Sequence, residues 1–292
     1  MKKLTVFTPT FNRAHTLHKL YDSLKQQSNK DFEWLIVDDG SSDQTKNLVQ
    51  KWQNEGEVAI SYHYQNNSGK MVAHNKGVSL CKTELFVCID SDDYLVADAV
   101  EKILNTWNAI SNNSKIAGIV AYRTYVQDDG NTSIKCHFPY LGNSKIYLLY
   151  QNGFVGDTTI VIRTEILSKF PFPYFEGEKF VSEATVYNQI DTLYDWQLMN
   201  EAITVCKYLD DGYTKNCNQL FNRNPKGMAY YYNARTKLPL LSLKNKIKSI
   251  AYYIVYANRA EYGSCKIYSI SNKKGILFVL GFILSLRYRK RI

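Results

Sequence analysis

Three carboxylates stand close together directly after a short apolar run. The run covers residues 85–89, and Asp90, Asp92 and Asp93 follow it within four positions. Alternate side chains of an extended chain point to the same side, so Asp90 and Asp92 can face one ligand. Carboxylate oxygens, with positions left open for phosphate and water, suit Mg²⁺ or Mn²⁺. An acidic cluster also occurs in turns and at helix N-termini, and these structural alternatives stay open.

Three more polar segments come at or just after the ends of predicted strands. They are Thr8-Pro9-Thr10-Phe11-Asn12-Arg13, Asp38-Asp39-Gly40 and Asn66-Asn67-Ser68-Gly69-Lys70. Each segment therefore has the same place relative to a strand as the carboxylates after residue 89.

The elements that would position these segments alternate in type. Continuously apolar runs predict strands over residues 4–8, 32–37, 58–64 and 85–89. Helical spacing predicts helices over residues 14–27, 69–80 and 96–110. A further helix is predicted to start after a cap at Ser41 or Ser42 and to run through Trp52. Such alternation implies an α/β fold with a mainly parallel, Rossmann-like sheet flanked by helices. Ligands bind at the carboxyl ends of the strands in this architecture, so we expect the four segments to line one crevice.

The positive charge of the chain is confined to its end. The 292 residues carry a net charge of +9, but from Cys217 onward 15 Lys and Arg face a single acid, Glu261. That segment has a net charge of +14, which leaves −5 for residues 1–216. A basic protein often binds nucleic acid, but this distribution argues against it. We expect one domain over residues 1–215 and a basic helical region over residues 216–292.

The basic region contains two apolar patterns. Residues 243–259 alternate lysines with aliphatic residues as a basic amphipathic helix would, and residues 275–286 form a twelve-residue apolar run. As a helix this run reaches only about 18 Å, and a bilayer core needs about 30 Å. It is too short to span, so we expect contact with an acidic membrane surface. A buried helix with solvated lysines and a contact between copies of a homo-oligomer are the alternatives.

The cysteines and the N-terminus bear on location. The six cysteines form no CxxC pair and no spacing typical of zinc ligands, so we expect reduced thiols. The first residues, MKKLTVFTPTFNR, contain too few apolar residues for a signal peptide. Together with the basic region, they predict a cytoplasmic protein at the inner face of the cell membrane.

The order of the motifs resembles a known family. FTPTFNR, LKQQSNKDFEWLIVDDGSSDQT, NNSGKMVAHNKGV and CIDSDDY follow one another from about residue 4 to residue 122, and FEGEKFVSEATVYN extends the likeness more loosely. The chain resembles a family 2 glycosyltransferase with the GT-A fold, of the type that builds bacterial surface polysaccharides. The resemblance implies a nucleotide-sugar donor, with a UDP-sugar as the leading candidate, and a glycan or polyprenyl-linked glycan as acceptor.

The resemblance also implies roles for individual residues. In the family, the residues matching Thr8 to Asn12 and Asp39 bind the base and ribose, and Lys70 lies in the loop that approaches the phosphates. The full set expected to bind the nucleotide-sugar is Thr8, Pro9, Thr10, Phe11, Asn12, Arg13, Asp38, Asp39, Lys70, Asn75, Asp90 and Ser91. Asp92 and Asp93 match the positions that hold the divalent metal, Mn²⁺ or Mg²⁺.

The catalytic base is expected in a later acidic motif. Family members invert the anomeric centre, so a carboxylate must take the proton of the attacking hydroxyl. The matching acid is Glu183, although Ala184 stands where the family usually has a second carboxylate. Asp191, Glu178 and Glu176 are rivals, and a Glu in the first turn of a helix can also act only on the helix dipole.

Other functions remain as alternatives. A nucleotidyltransferase has a similar sheet, but usually a glycine-rich phosphate loop near the N-terminus, and TPTFNRAH lacks glycine. A non-enzymatic module that binds membrane or nucleic acid would explain the basic region but not the acidic crevice. The family's processive synthases carry a QxxRW motif, and its absence favours transfer of one sugar per event.

Overall fold

The first strand, β1 (Leu4–Thr10), is buried along its whole length, as its apolar run predicts. The computed structural model describes residues 2–127, 130–207, 217–263 and 275–289. Within these ranges ten strands pair into one sheet. The other strands are β2 (Phe32–Asp38), β3 (Ile60–Tyr64), β4 (Leu85–Cys88), β5 (Tyr94–Leu95), β6 (Ile116–Val126), β7 (Thr132–Ser133), β8 (Asn143–Ser144), β9 (Thr158–Arg163) and β10 (Asp195–Cys206).

The chain forms two compact units. The first comprises Met1–Pro171 and Leu193–Tyr208, and the second comprises Phe172–Thr192 and Leu209–Ile292. The boundary expected between residues 215 and 216 lies outside the described residues. Residues 172–192, which that boundary assigns to the first domain, belong to the second unit.

The sheet of the first unit has the order β3-β2-β1-β4-β9-β6-β10-β5. Strands β3, β2, β1 and β4 run parallel, while β9 pairs antiparallel with both β4 and β6. In the register, Thr10 lies opposite Asp38 and Phe7 lies opposite Cys88. The parallel half therefore brings the ends of β1, β2 and β4 to one edge, and the predicted α/β fold is confirmed.

Helices cover this sheet and supply its core. They are α1 (Ala14–Lys25), α2 (Thr45–Glu55), α3 (Lys70–Leu80), α4 (Ala99–Ile110), α5 (Ile146–Gln151) and α6 (Thr164–Leu167). Leu20 of α1 and Trp52 of α2 pack with Trp34 of β2 in one buried cluster. The cap predicted for α2 at Ser41 or Ser42 is wrong. The helix begins at Thr45, because Asp43 accepts hydrogen bonds from the amide and the hydroxyl of that residue.

Helix α3 lies very close to β1, and a glycine makes this possible. A Cβ atom at Gly77 would lie 2.3 Å from the ring of Phe7, well inside van der Waals contact. The absence of a side chain lets α3 approach the strand and fixes the depth at which the helix sits. Lys70, the first residue of α3, is positioned by the same packing.

The second unit is helical in its described part. Its helices are α7 (Ala184–Ile190), α8 (Cys217–Arg223), α9 (Pro225–Arg235), α10 (Leu243–Arg259) and α11 (Ile276–Tyr288). Met228 of α9 packs with Ile250 and Ile254 of α10, and Tyr232 stacks on Tyr252 with ring centroids 4.8 Å apart. The helix predicted over residues 243–259 is confirmed. Within the described ranges, no helix combines the length and the apolar character needed to cross a membrane.

Candidate active site

The predicted loops of the first unit meet at the carboxyl edge of the parallel strands. Asp39, just after β2, donates its amide to the carbonyl of Thr10 at the end of β1 over 2.8 Å. On the other side of β1, the amide of Ile89 donates to the carbonyl of Phe7 over 2.9 Å. Strand β1 therefore connects three of the four polar segments, because it is hydrogen-bonded to the residues that directly follow both of its neighbours, β2 and β4.

The fourth segment reaches the acidic residues through a lysine. The ammonium of Lys70 lies 2.6 Å from a carboxylate oxygen of Asp90. Burial alone would raise the pKa of Asp90, but Lys70 and then Arg123 lower it, so the carboxylate is charged. His74 is buried and packs edge-on against the stacked rings of Phe7 and Phe86, and burial lowers its pKa to about 3. A neutral histidine packed against two rings fits the core, not a metal site.

Asp93 is held by an arginine from a distant strand. Arg123 of β6 contacts Asp93 at 3.1 Å, donates to the carbonyl of Thr158 at 3.1 Å, and lies 3.8 Å from the Cys206 sulfur. Burial, together with Asp90 and Asp92, raises the pKa of Asp93 to about 7 against the opposing effect of the guanidinium. Burial also raises the pKa of the Cys206 thiol. This buried group anchors the end of the acidic segment inside the fold.

Asp92 is the half-buried acid between these two ion pairs. Burial and then the neighbouring Asp90 carboxylate raise its pKa, and Arg13 and Lys70 oppose this only weakly. Carboxylates that repel one another in a partly buried place are a donor set that fits a hard divalent cation. Among the described residues, no three His, Cys, Asp or Glu side chains are arranged to hold a metal. Water and substrate oxygens would have to complete the shell around Asp92, with Asp93 available only if it leaves Arg123.

The two carboxylates after β2 organise the loops around them. Asp38 is fully buried and accepts hydrogen bonds from the amide of Ser41 and the hydroxyl of Tyr62. Asp39 accepts three hydrogen bonds, from the amides of Ser68 and Gly69 and from the side chain of Gln65, all between 2.7 and 2.8 Å. Asp39 therefore holds the backbone that leads directly into Lys70.

The end of β1 and the loop after it contain both buried and exposed side chains. Thr8 is buried and accepts a hydrogen bond from the Trp34 indole, whereas Phe11 is 46% exposed. Asn12 adopts a positive φ of 54°, and its side-chain oxygen accepts from the amide of Ser42 at 2.8 Å. Thr10 is almost completely buried, and its hydroxyl has no hydrogen-bond partner within the described part of the chain. Phe11 and Thr10 are the residues of this loop best suited to meet a ligand.

The remaining predicted donor-binding residues lie nearby in the chain. Pro9 is buried within β1, Arg13 immediately precedes α1, Asn75 is half-buried on α3, and Ser91 is buried in the acidic segment. Their roles toward a donor remain predictions.

A comparison with protein-family models identifies the fold and the chemistry together. The model described as glycosyl transferase family 2 matches residues 5–170, which is more than half of the chain. The chain belongs to glycosyl transferase family 2. The match includes all four loops of the carboxyl edge, and it ends one residue before the first unit's long segment does.

Curated relatives of this family 2 glycosyltransferase are bacterial glycosyltransferases. Poly(ribitol-phosphate) beta-N-acetylglucosaminyltransferase TarP of Staphylococcus aureus is 34% identical over 122 residues, which cover 40% of this chain and 36% of TarP. GalNAc(5)-diNAcBac-PP-undecaprenol beta-1,3-glucosyltransferase of Campylobacter jejuni is 36% identical over 110 residues, or 37% of this chain and 35% of that enzyme. The chain thus spans about a third of the length of either relative.

Solved structures share the fold of the family 2 glycosyltransferase over most of its length. S. aureus TarS residues 1–349 in complex with UDP-GlcNAc aligns with a TM-score of 0.63 at 16% identity, covering 96% of this chain and 79% of that one. A mannosyltransferase of Pyrobaculum calidifontis in complex with GDP-Man and Mn²⁺ aligns with a TM-score of 0.55 at 15% identity, covering 97% and 87%. At such identities the likeness concerns the fold alone.

The acid predicted as base belongs to the second unit of the family 2 glycosyltransferase. Glu183 is exposed and immediately precedes α7. Its rivals differ in their surroundings. Glu178 accepts hydrogen bonds from the amides of Lys226 and Gly227 and so caps the start of α9, Asp191 is fully buried, and Glu176 is exposed.

Sequence reasoning missed three residues that hold the site. Arg123, Tyr62 and Gln65 each contact one of the predicted carboxylates, and each lies within or just after a strand, where its sequence neighbours give no sign of it. The available signal was indirect: Tyr62 lies in β3, the strand that pairs with β2, and Gln65 directly follows β3.

Proposed function

We propose that the protein is a metal-dependent inverting glycosyltransferase that moves one sugar from a nucleotide-diphospho-sugar to a hydroxyl of a glycan or lipid-linked acceptor. The observation that carries this proposal is the half-buried Asp92 beside the Lys70–Asp90 pair, at the edge where β1, β2 and β4 end. An acid that burial and a neighbouring carboxylate leave poorly compensated is suited to a cation. A lysine at the same edge is suited to phosphate.

The residues of the first unit would divide the donor between them. Phe11 offers an exposed ring for a base, and Thr10 a buried hydroxyl without a partner in the described part of the chain. Lys70 would exchange part of its contact with Asp90 for a phosphate oxygen, and Asp90 would then be available to a ribose or sugar hydroxyl. A divalent cation bound through Asp92, with Asp93 as a second ligand, would neutralise the charge that develops on the leaving diphosphate.

Glu183 is the proposed base. Glu183 is exposed, so its carboxylate is accessible to an acceptor hydroxyl whose proton we propose it accepts. Glu178, by contrast, would have to give up the amides at the start of α9 to act in this way. Attack in a single step from the face opposite the leaving diphosphate inverts the anomeric configuration.

The relatives suggest the substrates. TarS is solved with UDP-GlcNAc, and the C. jejuni enzyme is named for a glycan joined through a diphosphate to undecaprenol. We infer a UDP-sugar donor and an acceptor on a surface polymer or its polyprenyl-linked precursor. We also propose that the protein works at the inner face of the cell membrane, the cytoplasmic, peripheral location expected from the sequence.

A donor screen tests the proposal. The full chain is mixed with UDP-GlcNAc, UDP-Glc, UDP-Gal or GDP-Man, with Mn²⁺, Mg²⁺ or EDTA, and the melting temperature and the release of nucleoside diphosphate are measured. We expect one UDP-sugar to raise the melting temperature with metal present and little without it, because a ligand that binds only the folded state stabilises it. The proposal is wrong if no nucleotide-sugar shifts the melting temperature or is turned over under any of these conditions.

A pair of variants tests the base. Glu183→Gln should leave the donor-induced shift in melting temperature unchanged and lower the rate of transfer by about 10²–10⁴-fold. Glu176→Gln removes another exposed carboxylate of the same unit and should leave the rate unchanged. The reverse result would move the base to Glu176, and an undiminished rate in both variants would exclude the two of them.

A further inference from the structure

Helix α11 exposes most of its large apolar side chains. Ile276, the most exposed of them, is 74% accessible, and Leu280, the least, is 43% accessible. Contiguous exposed apolar surface of this kind marks an interaction site more often than chance. We call these side chains the α11 apolar face: Ile276, Val279, Leu280, Phe282, Ile283 and Leu286.

Small residues determine which way the helix is turned. Gly281 and Ser285 are the buried residues of α11. A Cβ atom at Gly281 would lie 2.5 Å from Cγ2 of Ile250 in α10, so α10 leaves no room there for a larger residue. Leu277 and Phe278 pack against the same buried cluster, and Tyr288 stacks on Tyr252 with centroids 4.6 Å apart. The contacts with α10 therefore leave the bulky apolar residues on the outside.

Positive charge accompanies the exposed face. Arg287 and Arg289 are exposed at the end of α11, and Lys244 and Lys248 are exposed in α10. From Cys217 onward the sequence has 15 Lys and Arg and one acid. Lys273, Lys274, Lys290 and Arg291 flank α11 in the sequence and lie outside the described residues. A surface that binds here must accept both apolar side chains and a concentration of cations.

We propose that the α11 apolar face inserts into the headgroup region of a bilayer rich in anionic lipid. The helix is about 20 Å long, shorter than the roughly 30 Å hydrocarbon core, so it would lie in the plane of the membrane. Anionic headgroups attract the flanking arginines and lysines, while the six apolar side chains enter the acyl boundary. A second copy of the chain is a poorer partner, because it would bring the same net charge of +14 to the contact.

Vesicle co-sedimentation of the full chain tests this, without any sugar substrate. Vesicles of phosphatidylglycerol and phosphatidylethanolamine are compared with vesicles of phosphatidylcholine. We expect binding to the anionic vesicles, weaker binding as NaCl is added, and little binding to phosphatidylcholine. Because no donor or acceptor is present, failure here is distinct from failure of the proposed glycosyl transfer.

Matched variants assign the binding to the α11 apolar face. Phe282→Glu with Ile283→Glu should lower partition into anionic vesicles by roughly tenfold or more. Leu141→Glu with Leu193→Glu makes the same change at residues of the first unit that are 65% and 66% exposed, and should leave partition unchanged. Arg287→Gln with Arg289→Gln should lower partition about fivefold for each charge removed and flatten its dependence on salt.

A second measurement reports the depth of insertion. All four tryptophans lie in the first unit. The single substitution Ile283→Trp therefore places one new indole on the α11 apolar face. We expect bromine-labelled lipid to quench this added fluorescence. Equal partition of the Phe282→Glu, Ile283→Glu variant and the parent chain would overturn the proposal. The proposal would also be overturned if the parent chain self-associated and bound no vesicles, and if this variant were dissociated. The face would then join two copies of the chain.

Discussion

The carboxyl edge of the sheet and helix α11 depart from the usual distribution of residues in opposite ways. At the sheet edge Asp38, Asp39 and Asp93 are buried, although carboxylates are rarely found inside a protein. On α11 large aliphatic and aromatic side chains are exposed. Each buried acid is compensated by donors within its own unit, whereas none of the residues that the structure describes covers the apolar face of α11 to a comparable extent. The buried acids are thus compensated without a ligand, whereas the exposed apolar face is the feature that we propose to meet a membrane.

The largest change in stability is expected from a substitution at Arg123. Arg123→Met leaves the buried Asp93 without its guanidinium and should destabilise the first unit by about 3–5 kcal/mol. Adding Asp93→Asn removes the stranded charge and should restore a large part of this loss. Unfolding in urea, followed by tryptophan fluorescence, measures it selectively, because Trp34, Trp52, Trp107 and Trp196 all lie in the first unit. A loss below about 1 kcal/mol would mean that Asp93 does not depend on Arg123.

Asp92 should behave differently from its buried neighbour. Asp92→Asn removes a carboxylate that has no cation at bonding distance within the described ranges, so the melting temperature should stay the same or rise. The rate of sugar transfer should fall by about 10²–10³-fold, as expected when charge stabilisation of a leaving group is lost. Asp22→Asn, at a side chain that is 55% exposed, is the matched control and should change neither quantity. Full activity of Asp92→Asn would exclude this residue as a metal ligand.

Asp39 is predicted to act through the loop that it holds. Asp39→Asn keeps the shape of the side chain but turns an amide group toward donors that need an acceptor, at a cost of about 1–3 kcal/mol. Because the loop leads into Lys70, the donor KM should rise more than kcat falls. Asp31→Asn is the control, because its remaining Oδ1 can still accept the one hydrogen bond from the Lys3 amide at the surface. An unchanged stability would show that the loop is held by other contacts.

The smallest effect is expected on α11. Ile276→Ser should change the free energy of unfolding by no more than about 0.5 kcal/mol, because that side chain is 74% exposed. On the opposite side of the same helix, Gly281→Ala should cost about 1–2 kcal/mol, since the clash with Ile250 outweighs the gain in helix propensity. Thermal unfolding followed by far-ultraviolet circular dichroism compares the two. A large loss from Ile276→Ser would mean that the residue is buried in solution.

Elements with a strong local pattern were predictable from the sequence. The apolar run at residues 32–37 forms most of β2. The alternation of lysines with aliphatic residues over 243–259 predicts the same ends that α10 has in the structure. The meeting of the loops at one edge also followed, because parallel strands must end on the same side.

Contacts between distant residues were not predictable. Arg123 lies in β6 and Asp93 in the loop between β4 and β5, 30 positions apart, and nothing near either residue identifies the other. The orientation of α11 was hidden for another reason. A run that is apolar on all sides has no polar stripe from which to read a face, and only the small residues Gly281 and Ser285 mark the buried side.

The thiol beside Arg123 has a practical consequence. Cys206 lies in the last position of β10, is 7% exposed, and burial raises its pKa, so alkylating reagents should react with it slowly in the folded protein. Its modification requires β10 to separate from β6, whereas Cys136 and Cys217 are half-buried and should react earlier. The rate at which Cys206 is alkylated would therefore measure how often this part of the sheet opens, and no cysteine has to be introduced for the measurement.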